Sequence, residues 1–395
     1  MKLQPISNDS PFVTALKDAV KFRRSLVEEG HATRNCADDL CDSNEYLAEL
    51  SNLCFWASLA VEEGRKIQGS LCICSPDQAS RSRAFHESIP ISVNNLAALL
   101  IASPASPLAV HVNENKLEIW GVLDSVPMFT IKLRLAGAGT VIASDGRNTI
   151  AVFKDGEIHV PISASDTDCG RLIAEALDKT KTFPERMILA ARLLRIVVAI
   201  HRQGHGGTLV IVPPTDNSWT KHITFAFQFD PSSSLSIQKG LNELEEAKRH
   251  HQDLENGQGG NVPPSLLPLY AKSITAHQDI LNTLLRSIGD LSAIDGAVIM
   301  DEELKVYGFS AKLLGETGPF QVTVIDTLSH KKEQILYTEL GGTRHQSAAR
   351  FVYQNHESMV FVASQDGRLT LFVWAIEEKR VVAATKLEHF IWEYC

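Results

Sequence analysis

The chain lacks the features that would place it in several common classes. No apolar run is long enough to span a bilayer. The longest, such as Met187–Ile200, are interrupted by arginines, whereas a spanning helix needs about 20 apolar residues. The start, MKLQPISNDSPF, is polar and has no apolar core of a secretory signal. The seven cysteines (Cys36, Cys41, Cys54, Cys72, Cys74, Cys169 and Cys395) are odd in number and contain no Cys-x-x-Cys pair. That argues against both a disulfide framework and a zinc ribbon. A basic excess is missing too. With 38 Lys and Arg against 47 Asp and Glu, the formal net charge is −9, a poor endowment for gripping a phosphate backbone. These absences predict a soluble, cytoplasmic protein with reduced thiols and with neither nucleic acid nor membrane as partner. No repeat of fixed period is visible.

What is present is ordinary globular material: 395 residues, of which 44% are hydrophobic and 22% charged, enough for two cores at roughly 100–200 residues per domain. Residues 1–90 read as mainly helical, with amphipathic patterns over Val13–Glu29 and Asn44–Gly64. From 93 to 162 the character changes. Leu108–Val112, Lys116–Leu123, Met128–Leu135 and Thr140–Ala143 are β-rich runs divided by turn residues, and Asp155-Gly156 sits between Ile150–Lys154 and Glu157–Pro161 as a hairpin signal. The expectation is an α+β N-terminal domain, residues 1–165, with a mostly antiparallel sheet.

The C-terminal domain, expected over 170–395, opens with helix patterns at Arg171–Lys179 and Glu185–Arg202. The glycine turn Gly204-His205-Gly206-Gly207 and the buried strand Thr208–Val212 follow. A long insertion, about 215–265, contains a solvated helix over Leu241–Asn256 and a Gly/Pro-rich loop over Gly257–Pro264. A helix over Leu266–Ser287 comes next. Short strands are expected at Ala297–Met300, Lys305–Gly308, Gln321–Asp326, Met359–Ala363, Leu369–Trp374 and Val381–Thr385, with a short helix over Ala348–Asn355. The fold class is α/β (α+β), with a central mixed sheet flanked by helices in the second domain.

Some tempting residues have bland readings. His31, Cys36, Cys41 and Cys54 can be drawn as a metal site on paper, but ordinary thiols are favoured. His250-His251 reads as a solvated helix surface. Trp120 and Arg134 suit core and surface roles better than a ligand site.

Two clusters carry chemistry. In Asp295-Gly296-Ala297, at the mouth of an apolar strand, the Gly lets backbone come close to a ligand, and the carboxylate is one that Mg2+ or Mn2+ can use while bridging to phosphates. In Gly341-Gly342-Thr343-Arg344-His345-Gln346, a glycine turn, a helix start, a hydroxyl and a guanidinium together can cradle phosphate oxygens. Downstream, the strand Met359–Ala363 ends in Ser364-Gln365-Asp366-Gly367.

In that order the clusters resemble the diadenylate cyclase family, which carries an Asp-Gly-Ala motif, then Gly-Thr-Arg-His, then a strand ending in Ser-Glu-Glu. Asp295-Gly296-Ala297, Gly342-Thr343-Arg344-His345 and Ser364-Gln365-Asp366 correspond. Gly207-Thr208-Leu209-Val210-Ile211-Val212 is similar to the family's strand upstream, and Leu285-Arg286-Ser287-Ile288 to the end of its preceding helix. The resemblance runs from about Glu185 to about Val382. Gln346 stands where the family usually has a second basic residue, and Ser-Gln-Asp keeps one of two carboxylates.

The resemblance implies a nucleotidyltransferase that condenses two ATP into cyclic di-AMP and pyrophosphate between two face-to-face domains, with Mg2+ or Mn2+ as cofactor. Asp295, Arg344 and His345 would be the catalytic set. Gly296, Ala297, Gly342, Thr343, Gln346 and Ser364 would hold the nucleotide, and Asp295 and Asp366 the metal. Lys312 is assigned no role. The N-terminal domain would be a sensor, by analogy with how signalling cyclases are built. Three alternatives stay open: a cyclase of another nucleotide pair, a catalytically inactive nucleotide-binding sensor, and an interaction protein with no nucleotide site.

Overall fold

The computed structural model describes all residues except 1–4, 29–41, 63, 80, 105, 128–129, 146–148, 161–168, 178–179, 231–234, 256–266, 316 and 392–395. The chain divides into two compact units, Met1–Asp168 and Cys169–Cys395.

The N-terminal unit contains helices α1 (Pro11–Glu28), α2 (Asn44–Leu59) and α3 (Val93–Ala102). Its strands are β1 (Val61–Glu62), β2 (Arg65–Lys66), β3 (Gly69–Ile73), β4 (Ser82–Pro90), β5 (Leu108–Asn113), β6 (Lys116–Leu123), β7 (Lys132–Gly137), β8 (Thr140–Ser144), β9 (Thr149–Lys154) and β10 (Glu157–His159). Eight of these strands form one sheet in the order β10-β9-β8-β7-β3-β5-β6-β4. Within it only β3 and β5 run parallel. The helical reading of residues 1–90 therefore fails after Leu59, because β1–β4 lie in that stretch. At Ala60 the backbone turns extended (φ −70°, ψ 151°), and Gly-Ser-Leu-Cys-Ile then enters the sheet centre with every residue buried. A fully buried strand has no alternation to betray it.

One face of this sheet carries the main core. Leu71, Ile73, Val110, Leu133 and Phe153 meet Phe12 and Leu16 of α1, Leu47 and Leu50 of α2 and Leu96 and Leu100 of α3. The opposite face buries a smaller cluster of Cys72, Cys74, Ala109, Trp120 and Leu123. Cys72 and Cys74 share this face. The indole of Trp120 donates to the Cys74 carbonyl at 2.7 Å, so Trp120 is a core residue. Cys54 is buried in the main core, and burial pushes its thiol pKa up. His31, Cys36 and Cys41 lie outside the described residues.

The C-terminal unit contains α4 (Cys169–Ala176), α5 (Phe183–Arg202), α6 (Leu235–Glu255), α7 (Leu267–Asp290) and α8 (Thr343–Gln354). Its strands are β11 (Gly207–Val212), β12 (Ile223–Thr224), β13 (Phe227–Gln228), β14 (Ala297–Asp301), β15 (Val306–Leu313), β16 (Gln321–Asp326), β17 (Lys332–Leu336), β18 (Met359–Ala363), β19 (Leu369–Ala375) and β20 (Arg380–Thr385). They form one mixed sheet in the order β12-β15-β14-β11-β18-β19-β20-β16-β17, with β13 also on β15. β11 runs parallel to β14 and antiparallel to β18. Val210, Val360, Val362 and Phe372 face a core shared with Phe351 and Val352 of α8. α5 packs on β11 and β18.

The helix in the 215–265 segment is less solvated than its charges suggest: Leu241, Leu244 and Ala247 form a buried stripe, and α6 lies against α7. The expected short helix begins five residues earlier, at Thr343, with Gly342 as its N-cap. β17, polar and mostly exposed, pairs only with β16, at the sheet edge. Among the described residues no helix is long and apolar enough to cross a membrane.

Candidate functional site

Three strand ends meet at one edge of the C-terminal sheet. Register pairs Thr208 of β11 with Ala297 of β14, and Gly207 of β11 with Ala363 of β18. The residues just before β11 and β14 and just after β18 therefore share one end of the sheet, where the N-terminus of α8 also arrives. Its cap residue, Gly342, offers no side-chain hydrogen bond. The N–H groups of Thr343 and Arg344 are thus open to an acceptor from outside, that of His345 being returned to the Gly342 carbonyl at 2.9 Å, and the helix dipole favours a negative one.

Arg344, in the first turn of α8, ties the edge together. Its Nη2 donates to Asp295 Oδ1 at 2.9 Å. Its Nη1 lies 2.8 Å from where a Cβ on Gly206 would sit, with the Ala363 carbonyl 2.9 Å from the same point. Gly206 has φ +72°, so a side chain there would be strained and would displace the guanidinium. The Asp295 side chain is 91% exposed and that of Arg344 33% exposed, which leaves both groups able to meet a ligand.

Gly296 gives the second close approach. It has φ +118°, and a Cβ on it would fall 2.6 Å from the backbone carbon of Ser310. Ser310 itself is left-handed (φ +52°), and its hydroxyl donates to the Asp295 carbonyl at 2.8 Å. The β14–β15 ladder shifts register here. Asp295 lies just ahead of β14, outside its ladder. Ala297 is 2% exposed and packs into the α8-side core, so only its backbone is available to a ligand.

His345 points inward from α8. Its ring meets Phe372 edge-on at 6.0 Å, and Nε2 lies 3.4 Å from the Thr370 hydroxyl. Burial pulls its pKa below the usual histidine range; Asp366 opposes that, while Arg368 and Arg344 reinforce it. A neutral imidazole brings a hydrogen bond to the edge, not a full charge. Gln346 turns the other way. Its amide NH2 faces the carbonyls of Thr338, Leu340 and Gly341 at 3.0, 3.2 and 3.4 Å, so it braces the loop leading into the glycine pair.

Ser364 closes the β18–β19 turn: its N–H donates to the Arg368 carbonyl at 2.8 Å, and its carbonyl accepts from Gly367 N–H at 3.0 Å. The Asp366 carboxylate pairs with Arg368 at 2.9 Å. His201, at the end of α5, contacts the Gly367 carbonyl through Nε2 at 2.8 Å.

The edge thus gathers Asp295, Gly296, Thr343, Arg344 and His345 with the 364–368 turn, while Gln346 and the Ala297 side chain are spent on structure. Sequence reasoning missed Gly206, Ser310, His201 and Arg368. Gly206 sat in a visible glycine run, but nothing in its own segment reveals that Arg344 lies against it.

Among the described residues no group of three or more His, Cys, Asp or Glu is arranged to hold a metal. The donor set is two exposed carboxylates, Asp295 and Asp366, each paired with an arginine. Such a set fits Mg2+ or Mn2+ only as an ion shared with substrate phosphates, which is the ordinary habit of Mg2+.

Comparison with known families gives one anchor, outside this edge. A family model described as a probable sensor domain, DACNV, matches residues 37–124, a span that takes in α2, α3 and β1–β6. The match ends well before the C-terminal unit. No curated protein matches the chain.

Proposed function

We propose that the C-terminal unit is a diadenylate cyclase, joining two ATP into cyclic di-AMP, and that the N-terminal unit senses the signal that governs it. The observation that carries the reading is the ion pair of Asp295 with Arg344 at an uncapped helix start, against the backbone of Gly206. It joins the Asp-Gly-Ala, Gly-Thr-Arg-His and strand-end clusters at one sheet edge. The match to a probable sensor domain in residues 37–124 supports the same reading, because that domain is typical of proteins associated with diadenylate cyclases.

In the reaction the 3′-oxygen of one nucleotide forms a bond to the α-phosphorus of the other. The bond from that phosphorus to the bridging oxygen breaks, and pyrophosphate leaves with the electron pair. The proton of the 3′-hydroxyl passes to the Asp295 carboxylate and on to solvent. A second such step closes the ring. Arg344 and the open N–H groups of α8 hold the α-phosphate oxygens and offset their growing charge. His345, neutral, donates a hydrogen bond to the same region. Thr343, Gly342, Gly296 and Ser364 line the nucleotide. Mg2+ or Mn2+ held at Asp295, with Asp366 near, would add charge neutralisation at the phosphates. One chain carries one such edge, so two chains meet face to face.

The test is purified full-length protein incubated with ATP and either Mn2+ or Mg2+, with products resolved by mass spectrometry, beside Asp295→Asn. Cyclic di-AMP from the parent protein but not from the variant supports the reading; absence of product with every nucleotide pair sinks it. Sedimentation showing only monomers, with ATP and metal present and full activity, would sink the paired site alone. A second reading, an inactive nucleotide-binding sensor, is favoured by Gln346, whose amide braces the loop where the family usually has a cation. ATP binding without turnover identifies it.

A further inference from the structure

A separate groove of about 360 Å3 runs between α5 and α7, a volume within the range of small-molecule sites. Arg195 and Arg202 line it from α5 and Arg286 from α7, together with Asn282, Gln203 and Asp290. Three guanidiniums against one carboxylate is a local positive excess in a chain whose net charge is −9. The last-turn position of Arg202 answers to the helix dipole. Arg195, two turns from the end of its helix, and Arg286, one turn from the end of α7, have no such reason.

Part of the groove is already braced. Arg195 Nη1 donates to the side-chain oxygen of Asn282. Gln203 Nε2 donates to the Gly289 carbonyl at 3.1 Å and to Asp290 Oδ1 at 3.2 Å, so Asp290 is drawn toward the amide. Among the described residues neither Arg202 nor Arg286 has a side-chain hydrogen-bond or ion-pair partner. Two exposed guanidiniums thus face a groove whose third is fixed and whose one carboxylate is engaged.

We propose that this groove binds a phosphate-bearing small molecule, at a site distinct from the Asp295–Arg344 edge. Planar guanidiniums suit phosphate because each can give two parallel hydrogen bonds to its oxygens. The groove also lies where binding can be felt at the edge. α5 leads through Gln203 to Gly206, which touches Arg344. α7 leads through Leu291–Ala293 to Asp295. A ligand drawing the two helix ends together acts on the spacing of those two residues. Binding at the groove stands whether or not the edge is a cyclase.

The test uses inorganic tripolyphosphate and the full-length chain carrying Arg344→Gln, so that the edge contributes no guanidinium. Isothermal titration is expected to give one saturable event per chain that weakens as salt rises. Adding Arg202→Gln and Arg286→Gln is expected to weaken it by about tenfold or more. Both side chains are on the surface, and an unchanged melting temperature checks that the fold survives. Asn282→Asp, which sets a second carboxylate in the groove, is expected to weaken binding as well. If the Arg344→Gln chain takes up no tripolyphosphate, or if the Arg202/Arg286 substitutions leave its affinity within about twofold, the proposal is overturned.

Discussion

Strand β3 of the N-terminal unit and strand β11 of the C-terminal unit both lie inside a mixed sheet and are buried along their whole length. Their ends differ. Past β3, the Cys74 N–H donates to Val110, the Cys74 carbonyl accepts from Trp120, and Ser75 and Gln78 bond to each other. Ahead of β11, Gly206 takes a left-handed turn that makes room for Arg344, which reaches out to an exposed Asp295. One strand end consumes its polar groups internally; the other leaves a carboxylate, a guanidinium and a helix start facing solvent. Stability is bought by the first arrangement and chemistry is made possible by the second.

The largest effects expected test the second arrangement. On the proposed function, Asp295→Asn and Arg344→Gln should each lower turnover by about a hundredfold or more, the usual loss when a transition-state charge partner is removed. Melting temperature should barely move, since exposed ion pairs contribute little to stability. A large fall in melting temperature would mean that the pair is structural and would erase the contrast.

The matching test of the N-terminal unit is Phe153→Ala. Phe153 is 1% exposed and stacks edge-on against Phe55 at 5.3 Å. Its truncation should cost about 3–5 kcal/mol in urea unfolding. Gly296→Ala follows, with a Cβ driven into the Ser310 backbone at a positive φ. It should cost about 1–3 kcal/mol and depress turnover together with stability, unlike Asp295→Asn.

Smaller effects sharpen the comparison. Gln346→Ala removes the loop brace and should cost about 1 kcal/mol with little change in turnover. A collapse of turnover would return Gln346 to the nucleotide. His345 adds a pH effect of definite sign. Its folded pKa is depressed by burial, so the unfolded chain binds the extra proton first as pH falls. Stability from this group is complete above the ordinary histidine pKa of about 6.5 and declines as pH drops below it. Chemical denaturation of the parent protein and of His345→Gln between neutral and mildly acid pH measures this: the parent should lose stability relative to the variant as pH falls, and above that pH the gap between them should stop changing.

The mixed α+β class could be read from the chain alone, because alternating helix and strand signals with short turns leave few other architectures. Asp295-Gly296-Ala297 and Gly342-Thr343-Arg344-His345 were legible through their order along the chain, which is the order the resemblance rests on. β3 was hidden by uniform burial, and β4, which is partly exposed throughout, by a partner strand far along the chain. Whether Gln346 faces the edge or the loop, whether Ala297 offers more than backbone, and that Gly206 lies under Arg344 were decided only by tertiary structure. The physical reason is the same in each case. A side chain's direction on a helix or strand is local, but what it meets depends on strand register and on where α8 lands across the sheet, and both are fixed by contacts between segments far apart in the chain.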